Sequence, residues 1–98
     1  MNFSELIQSK QPVLVDFFAE WCGPCKAMAP ILTEVKRKIG DDVTIIKIDV
    51  DKNQQAAGAY QVQSIPTLIL FKEGKIIWKK VGMASATELE KVILANSK

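Results

Sequence analysis

The sequence lacks histidine altogether, and its only two cysteines, Cys22 and Cys25, lie three positions apart among 98 residues. A zinc site normally takes four Cys or His ligands, so metal binding would require a second chain. A disulfide across so short a loop removes little chain entropy, which disfavours a purely structural bridge and the framework of a small secreted protein. We therefore expect no metal site and look for a chemical role for the cysteines.

Long apolar runs and concentrated charge are also missing. No segment approaches the roughly 20 apolar residues that span a bilayer, and the N-terminal MNFSELIQSK lacks the basic-then-apolar layout of a signal peptide. The net charge is +2, and the basic residues are scattered along the chain. We expect a monomeric cytoplasmic protein that binds neither nucleic acid nor membrane. A hydrophobic content of 48% predicts one domain over residues 1–98.

The hydrophobic periodicity alternates between helix and strand. It predicts helix, strand, helix, strand, helix, strand, strand and helix, at 2–9, 13–18, Pro24–Ile39, 43–48, 53–60, 67–71, 75–81 and from Ser85 onward. The last two strands resemble a hairpin that turns at Glu73-Gly74. This order is typical of an α/β fold with one mixed sheet between helices.

Both cysteines follow a buried strand, VLVDFF, at the point where the longest helix begins. Reactive groups collect at such carboxyl ends of central strands. Unpaired backbone N–H groups and the helix dipole favour a thiolate at Cys22, and Cys25 lies one turn further on. We expect Cys22 to be the more exposed sulfur. The outer thiolate would attack a target disulfide, and the inner thiol would then displace the product.

Asp16 interrupts the apolar strand that leads to the cysteines. A buried carboxylate costs several kcal/mol unless it is paired, hydrated or protonated. Strand alternation places Asp16 on the same face as Leu14 and Phe18, and the neighbouring run VTIIKI contains Lys47. One hypothesis is a structural ion pair between Asp16 and Lys47 in two buried strands. The hypothesis that we favour makes Asp16 the base that accepts the proton of Cys25, with a pKa raised by burial.

Four segments together resemble the thioredoxin family: VDFFAEW, WCGPCK, SIPTLILFKEGK and VGMASATELEKVI. The resemblance covers almost the whole chain and implies the thioredoxin fold. Members usually have a further strand before the first helix, whereas this chain starts at that helix. We therefore expect a mixed central sheet of about four strands flanked by helices, lacking the usual first strand, with VTIIKI closer to an edge.

The resemblance also implies a function and the roles of several residues. It implies a protein-disulfide reductase that is recharged by an NADPH-dependent flavin enzyme, thioredoxin reductase, and needs no cofactor beyond a redox-active Cys22–Cys25 disulfide. Cys22 would be the attacking thiol, Cys25 the resolving thiol and Pro66 a cis-proline opposite them. From the residues alone, a trans proline at the start of a strand is the better expectation for Pro66.

Further residues are expected to contact substrate. A cis bond at Pro66 would expose the backbone of Ile65 to pair with an extended segment. The resemblance places Trp21 at the active-site surface, and Trp78 is expected to be the more structural tryptophan. The expected contact residues are Trp21, Gly23, Pro24, Ile65, Pro66 and Gly82.

A second class of function remains open. A thioredoxin-like binding or scaffold subunit would hold a partner with the Ile65-Pro66 surface and leave the cysteines idle. Such a subunit has no need of a buried Asp16, so the combination of cysteines, aspartate and proline favours the reductase.

Overall fold

The computed structural model describes residues 2–97, in which helices and strands alternate along the chain. Their bounds are α1 Phe3–Leu6, β1 Val13–Phe18, α2 Gly23–Ile39, a 3-10 turn Gly40–Asp42, β2 Thr44–Asp49, α3 Gln54–Ala59, β3 Thr67–Lys72, β4 Lys75–Val81 and α4 Ala86–Ala95. The predicted order of elements is confirmed. The first helix is shorter than the predicted 2–9, because α1 ends at Leu6 and a turn follows.

The four strands form one mixed sheet in the order β2-β1-β3-β4. β1 pairs in parallel with β2, and the remaining pairs are antiparallel. A parallel pair needs a long crossover connection, which here is α2. β3 and β4 form the predicted hairpin, and its turn residues Glu73 and Gly74 have positive φ angles of 52° and 81°. The sheet therefore places β1, the strand that leads into the cysteines, next to its centre.

Apolar side chains cover both faces of the sheet. One face packs against α2 and α4, in a core formed by Leu14, Leu68, Leu70, Met28, Leu32, Val35, Val43, Ala84, Leu89 and Ile93. The other face carries Ile7, Val13, Val15, Phe17, Ile48, Ile69 and Phe71. On that second face the ring of Tyr60 packs edge-on against Phe3 and Phe71, with centroids 5.7 and 5.2 Å apart. Helices thus flank the sheet as predicted.

β2 is an edge strand, as expected from the resemblance, but it is not the fully buried strand that its apolar sequence predicts. Thr44 and Lys47 are exposed, and only Ile48 and Asp49 are buried. The reason is that β2 has a neighbouring strand on one side only among the residues described. The hydrophobic run VTIIKI therefore overestimates the burial of this strand.

Two sequence features of the helices, a capping serine and an internal proline, can be located in the structure. The Ser85 hydroxyl accepts a hydrogen bond from the Glu88 backbone N–H at 3.1 Å, which is half of a capping box at the start of α4. Pro30 lies inside α2, which continues through it as one helix to Ile39.

Within residues 2–97 no helix is long and apolar enough to cross a membrane.

A pair of leucine substitutions tests the core that holds α4 against the sheet. Leu70 is fully buried on β3, whereas Leu94 on α4 is mostly exposed. We expect Leu70→Ala to lower the free energy of unfolding by about 2–5 kcal/mol, because it removes buried methyl groups and leaves a cavity. Leu94→Ala should change it by less than about 0.5 kcal/mol. Urea unfolding of both variants measures the difference, and equal losses would contradict this description of the core.

Candidate active site

The two cysteines lie where β1 passes into α2. Cys22 is the N-cap of α2, Gly23 begins the helix, and Pro24 occupies its first turn, where proline is well tolerated. Cys25 follows within the same turn, and its Cα lies 5.2 Å from that of Cys22. The two sulfurs form a disulfide. The predicted placement at a strand-to-helix junction is confirmed.

The predicted difference in exposure between the cysteines is not present in this disulfide form. Cys22 is 4% exposed and Cys25 is 3% exposed. Both are buried because the disulfide packs in a small cluster with Ala19, against which Phe18, Val50 and Ile65 also lie. Any difference in reactivity between the two sulfurs must therefore come from their hydrogen-bond partners.

The hydrogen bonds of the helix start single out Cys22. Its Sγ accepts a hydrogen bond from the Cys25 backbone N–H at 3.2 Å, as an N-cap side chain does. It also lies 3.9 Å from the carbonyl oxygen of Ile65. A free N–H group and the positive end of the helix dipole stabilise negative charge on sulfur. This geometry favours the thiolate at Cys22 once the disulfide is reduced.

A loop before β3 lies against the disulfide. The Ile65–Pro66 peptide bond is cis, as the resemblance implies and against the expectation from base frequencies of proline bonds. Gly82, which follows β4, donates its N–H to the Pro66 carbonyl at 2.8 Å and adopts a positive φ of 102°. The structure thereby brings Ile65, Pro66 and Gly82 to one place.

Trp21 lies at the surface beside Cys22. It is 71% exposed, whereas Trp78 is half-buried against the core of α2 and α4, so the predicted division between the two tryptophans is confirmed. The Trp21 indole Nε1–H donates to Asp51 Oδ2 at 2.8 Å. Sequence reasoning missed Asp51, because 30 residues separate it from Trp21 and no local pattern links them.

Asp16 is completely buried, and neither of its carboxylate oxygens has a hydrogen-bond partner among residues 2–97. Burial raises the pKa of this carboxyl from 3.8 to about 6, and the positive charge of Lys47 opposes that rise. The group is therefore a buried acid that titrates close to neutral pH. That is the range in which a proton acceptor works best.

Lys47 does not form the buried ion pair that one of the two hypotheses proposed. β2 places it opposite Asp16, yet its side chain is exposed and its Nζ lies 5.1 Å from the centre of the Phe18 ring. At this distance the ammonium is attracted to the aromatic face. The two charges interact through space only, because an edge strand lets the lysine reach water. The hypothesis of a structural ion pair between Asp16 and Lys47 is therefore wrong.

A cleft connects the lysine to the inner cysteine. Its volume is about 290 Å³, and it is lined by Phe18, Ala19, Glu20, Cys25, Lys26, Ala29 and Lys47. Within residues 2–97 no group of three or more His, Cys, Asp or Glu side chains is arranged to hold a metal ion. The chemistry that this arrangement offers is thiol–disulfide exchange at Cys22 and Cys25.

Comparison with known proteins points to the same chemistry, and the similarity extends over most of the chain. The family model "Thioredoxin" matches residues 1–95. The chain belongs to the thioredoxin family. It is 47% identical to thioredoxin from Bacillus subtilis over 85 residues, which is 87% of this chain and 82% of that protein. It is also 47% identical over 89 residues to chloroplastic thioredoxin Y from Oryza sativa, covering 90% of this chain but spanning only 53% of that relative.

Solved structures of thioredoxins share the fold. A mutant thioredoxin from Halobacterium salinarum superposes with a TM-score of 0.88 at 35% identity, over 97% of this chain and 82% of that one. Oxidized mitochondrial thioredoxin 3 from Saccharomyces cerevisiae gives 0.84 at 41% identity, over 95% and 86%. The predicted thioredoxin fold with four strands is confirmed. Family membership and the Cys22–Cys25 disulfide identify a thiol–disulfide oxidoreductase.

The raised pKa of Asp16 makes stability depend on pH in a specific direction. Below pH 3.8 the carboxyl is neutral in both folded and unfolded chains, and above pH 6 it is ionised in both, so the folded protein carries the cost of a buried charge at high pH. We expect Asp16→Asn to increase the free energy of unfolding of the oxidised protein by about 2 kcal/mol more at pH 8 than at pH 4.

Urea unfolding at the two pH values measures this difference. Asp41→Asn, which removes an exposed carboxylate from the 3-10 turn, is the control and should shift stability by less than about 0.5 kcal/mol at either pH. An Asp16→Asn variant with the same stability gain at both pH values would show that the carboxyl does not titrate between them.

Proposed function

We propose that the chain reduces disulfide bonds in other proteins, with Cys22 as the attacking thiol and Cys25 as the resolving thiol. The observation that carries this assignment is the position of Cys22 Sγ, which caps α2 and accepts the Cys25 N–H. The same N–H and the helix dipole that bond this sulfur in the disulfide would stabilise it as a thiolate. Cys25 has no such position, because it lies inside the first turn.

The reaction proceeds in two exchanges. The Cys22 thiolate attacks one sulfur of the substrate disulfide, which forms a mixed disulfide and releases the other substrate sulfur as a thiolate that takes a proton from water. Cys25 then loses its proton and attacks Cys22 Sγ, which breaks the mixed disulfide and releases the second substrate sulfur as a thiolate, which also takes a proton from water. In total the substrate gains two electrons and two protons, and Cys22 and Cys25 end as the disulfide.

In this mechanism Asp16 accepts the proton of Cys25 in the second exchange. The carboxyl is buried on the strand that leads to the cysteines, and its pKa of about 6 leaves it mostly ionised at neutral pH. Both oxygens have free acceptor capacity, and a water molecule could bridge the carboxylate to the thiol. Lys47 assists by keeping positive charge near the carboxylate, which favours its ionised form.

The substrate segment would bind across the loop beside the disulfide. The Ile65 backbone lies next to Cys22 Sγ and offers hydrogen-bonding groups to an extended chain. Exposed Trp21 borders this surface, and Gly82 leaves it open, since no atom lies within 4 Å of a Cβ built there. Gly23 and Pro24 supply the exposed start of α2 between the cysteines.

The electrons would come from an NADPH-dependent thioredoxin reductase, which returns the disulfide to the dithiol. We further propose that the protein works as a monomer in the cytoplasm and needs no cofactor beyond its own cysteines. The support for these proposals is the family and the scattered charge of the chain.

Brief alkylation of the reduced protein tests the assignment of the attacking thiol. We expect iodoacetamide near neutral pH to label Cys22 at least about tenfold faster than Cys25, because reaction requires the thiolate. Peptide mapping by mass spectrometry measures both sites. Equal labelling would contradict the asymmetric mechanism.

Trapping of substrates tests the order of attack. Cys25→Ser should accumulate mixed disulfides through Cys22, since attack still occurs while resolution does not. Diagonal gels of a lysate reveal the adducts, and Cys22→Ser is the matched control that should trap few. The assignment is wrong if the two variants trap equally.

Insulin reduction by dithiothreitol separates the reductase from a binding or scaffold subunit. The reductase should accelerate it, and Asp16→Asn should slow that acceleration by about tenfold or more, because a general base typically contributes at least that much. The same variant should be more stable than the original chain at neutral pH. Unchanged activity combined with a large loss of stability would defeat the role given to Asp16, and no acceleration by the original chain would favour the scaffold.

A further inference from the structure

One edge of the sheet is open at β2. This strand pairs with β1 on one side, and no other strand within residues 2–97 covers its outer side. Unpaired backbone groups along an edge are a template for another extended chain.

The open part of β2 is centred on two residues, Ile45 and Lys47. The Thr44 N–H donates to the Pro12 carbonyl at 3.1 Å, so Thr44 faces β1. Since the direction of backbone groups alternates along a strand, Ile46 also faces β1, whereas the N–H and C=O groups of Ile45 and Lys47 point outward. These four groups form a short open ladder.

Other contacts mark the two ends of this open ladder. The Val43 carbonyl accepts a hydrogen bond from Lys36 Nζ at 2.6 Å, and the Asp49 carbonyl accepts from Lys52 N and Asn53 Nδ2 at 3.2 and 3.0 Å. The carbonyls on either side are therefore already bonded. An added strand would gain its central hydrogen bonds between them, which defines its place along β2.

A groove runs beside the open ladder, between β2 and α2. Its volume is about 530 Å³, and its lining residues are Ala29, Leu32, Thr33, Lys36, Arg37, Ile45 and Lys47. Four of these seven are Ala, Leu, Ile or Thr, three are cationic, and none is a carboxylate. The groove thus combines an apolar floor with a positive rim.

We propose that the open edge of β2 and this groove bind an extended, acidic segment of a partner protein as an added strand. Main-chain hydrogen bonds to Ile45 and Lys47 would supply the pairing, and alternate side chains of the segment would enter the groove. Ile45 and Lys47 lie two positions apart and so project to the same face. The segment should therefore carry an apolar side chain beside Ile45 and a carboxylate two positions away, beside Lys47.

The charge of the groove selects this occupant over a second copy of the chain. Pairing of two β2 strands about a two-fold axis would bring the basic rims of both grooves together. Like charges across neighbouring strands destabilise pairing, whereas opposite charges stabilise it. Arg37 has an exposed side chain whose ion pair with Glu34, at 2.6 Å, leaves its other donors free for a second carboxylate.

The test uses a fluorescein-labelled peptide, Thr-Val-Thr-Glu-Thr-Val-Thr-Glu-Thr, which places Val and Glu alternately on one face. The control peptide has Lys in place of both Glu. We expect fluorescence anisotropy to show saturable binding of the acidic peptide at least about tenfold tighter than that of the control, with weaker binding at high salt because exposed charges are screened.

Matched variants on α2 test the basic rim. Arg37→Glu should weaken peptide binding by about fivefold or more, since it replaces an attraction with a repulsion. Lys38→Glu makes the same charge change one residue away and, like Arg37→Glu, removes an ion pair with Glu34. Because Lys38 does not line the groove, this variant should have a smaller effect on binding.

Hydrogen exchange locates the bound peptide. Saturating acidic peptide should slow amide exchange at Ile45 and Lys47 by about tenfold or more and leave Ile46, already bonded to β1, unchanged. No binding at millimolar peptide, equal binding of the two peptides, equal effects of the two variants, or protection elsewhere would each overturn the proposal. So would protection of Ile45 and Lys47 that grows with protein concentration in the absence of peptide, because the occupant would then be a second copy.

Discussion

The site depends on one constraint, the direct passage from the buried strand β1 into the helix α2. Hydrogen bonds on both sides hold β1 in place, so the end of this strand has little freedom. Cys22 therefore becomes the cap of α2 and accepts the Cys25 N–H. Every further feature of the redox centre, including the neighbouring cis-proline loop and the buried carboxyl, is arranged around that junction.

Asp16 destabilises the fold that carries this arrangement. A buried carboxyl with no hydrogen-bond partner among the described residues destabilises the folded chain when it is ionised, and its raised pKa has the same cause. Lys47 offsets part of it through space, but from a solvent-exposed position over the Phe18 ring. A group that weakens the fold at neutral pH and lies on the strand leading to the thiols fits the proton transfer that we propose for it.

The two open surfaces of the molecule have different characters. The surface around the disulfide is apolar and nearly uncharged at its centre, with Trp21 exposed and Gly82 leaving room for a chain to approach. The β2 edge is apolar with a basic rim formed by Lys36, Arg37 and Lys47. α2 borders both surfaces, and Ala29 and Lys47 line both the groove beside β2 and the cleft at Cys25.

The order of elements and the place of the cysteines could be read from the sequence, because periodicity and helix-start residues such as Pro24 are local properties. The family, and with it the cis bond before Pro66, came from the resemblance of motifs rather than from local physics. Only the tertiary structure decided the surroundings of Lys47 and the Trp21–Asp51 hydrogen bond. It also decided the equal burial of the two cysteines. These depend on which strand forms the edge of the sheet and on contacts between residues far apart in the chain, and no local pattern encodes either.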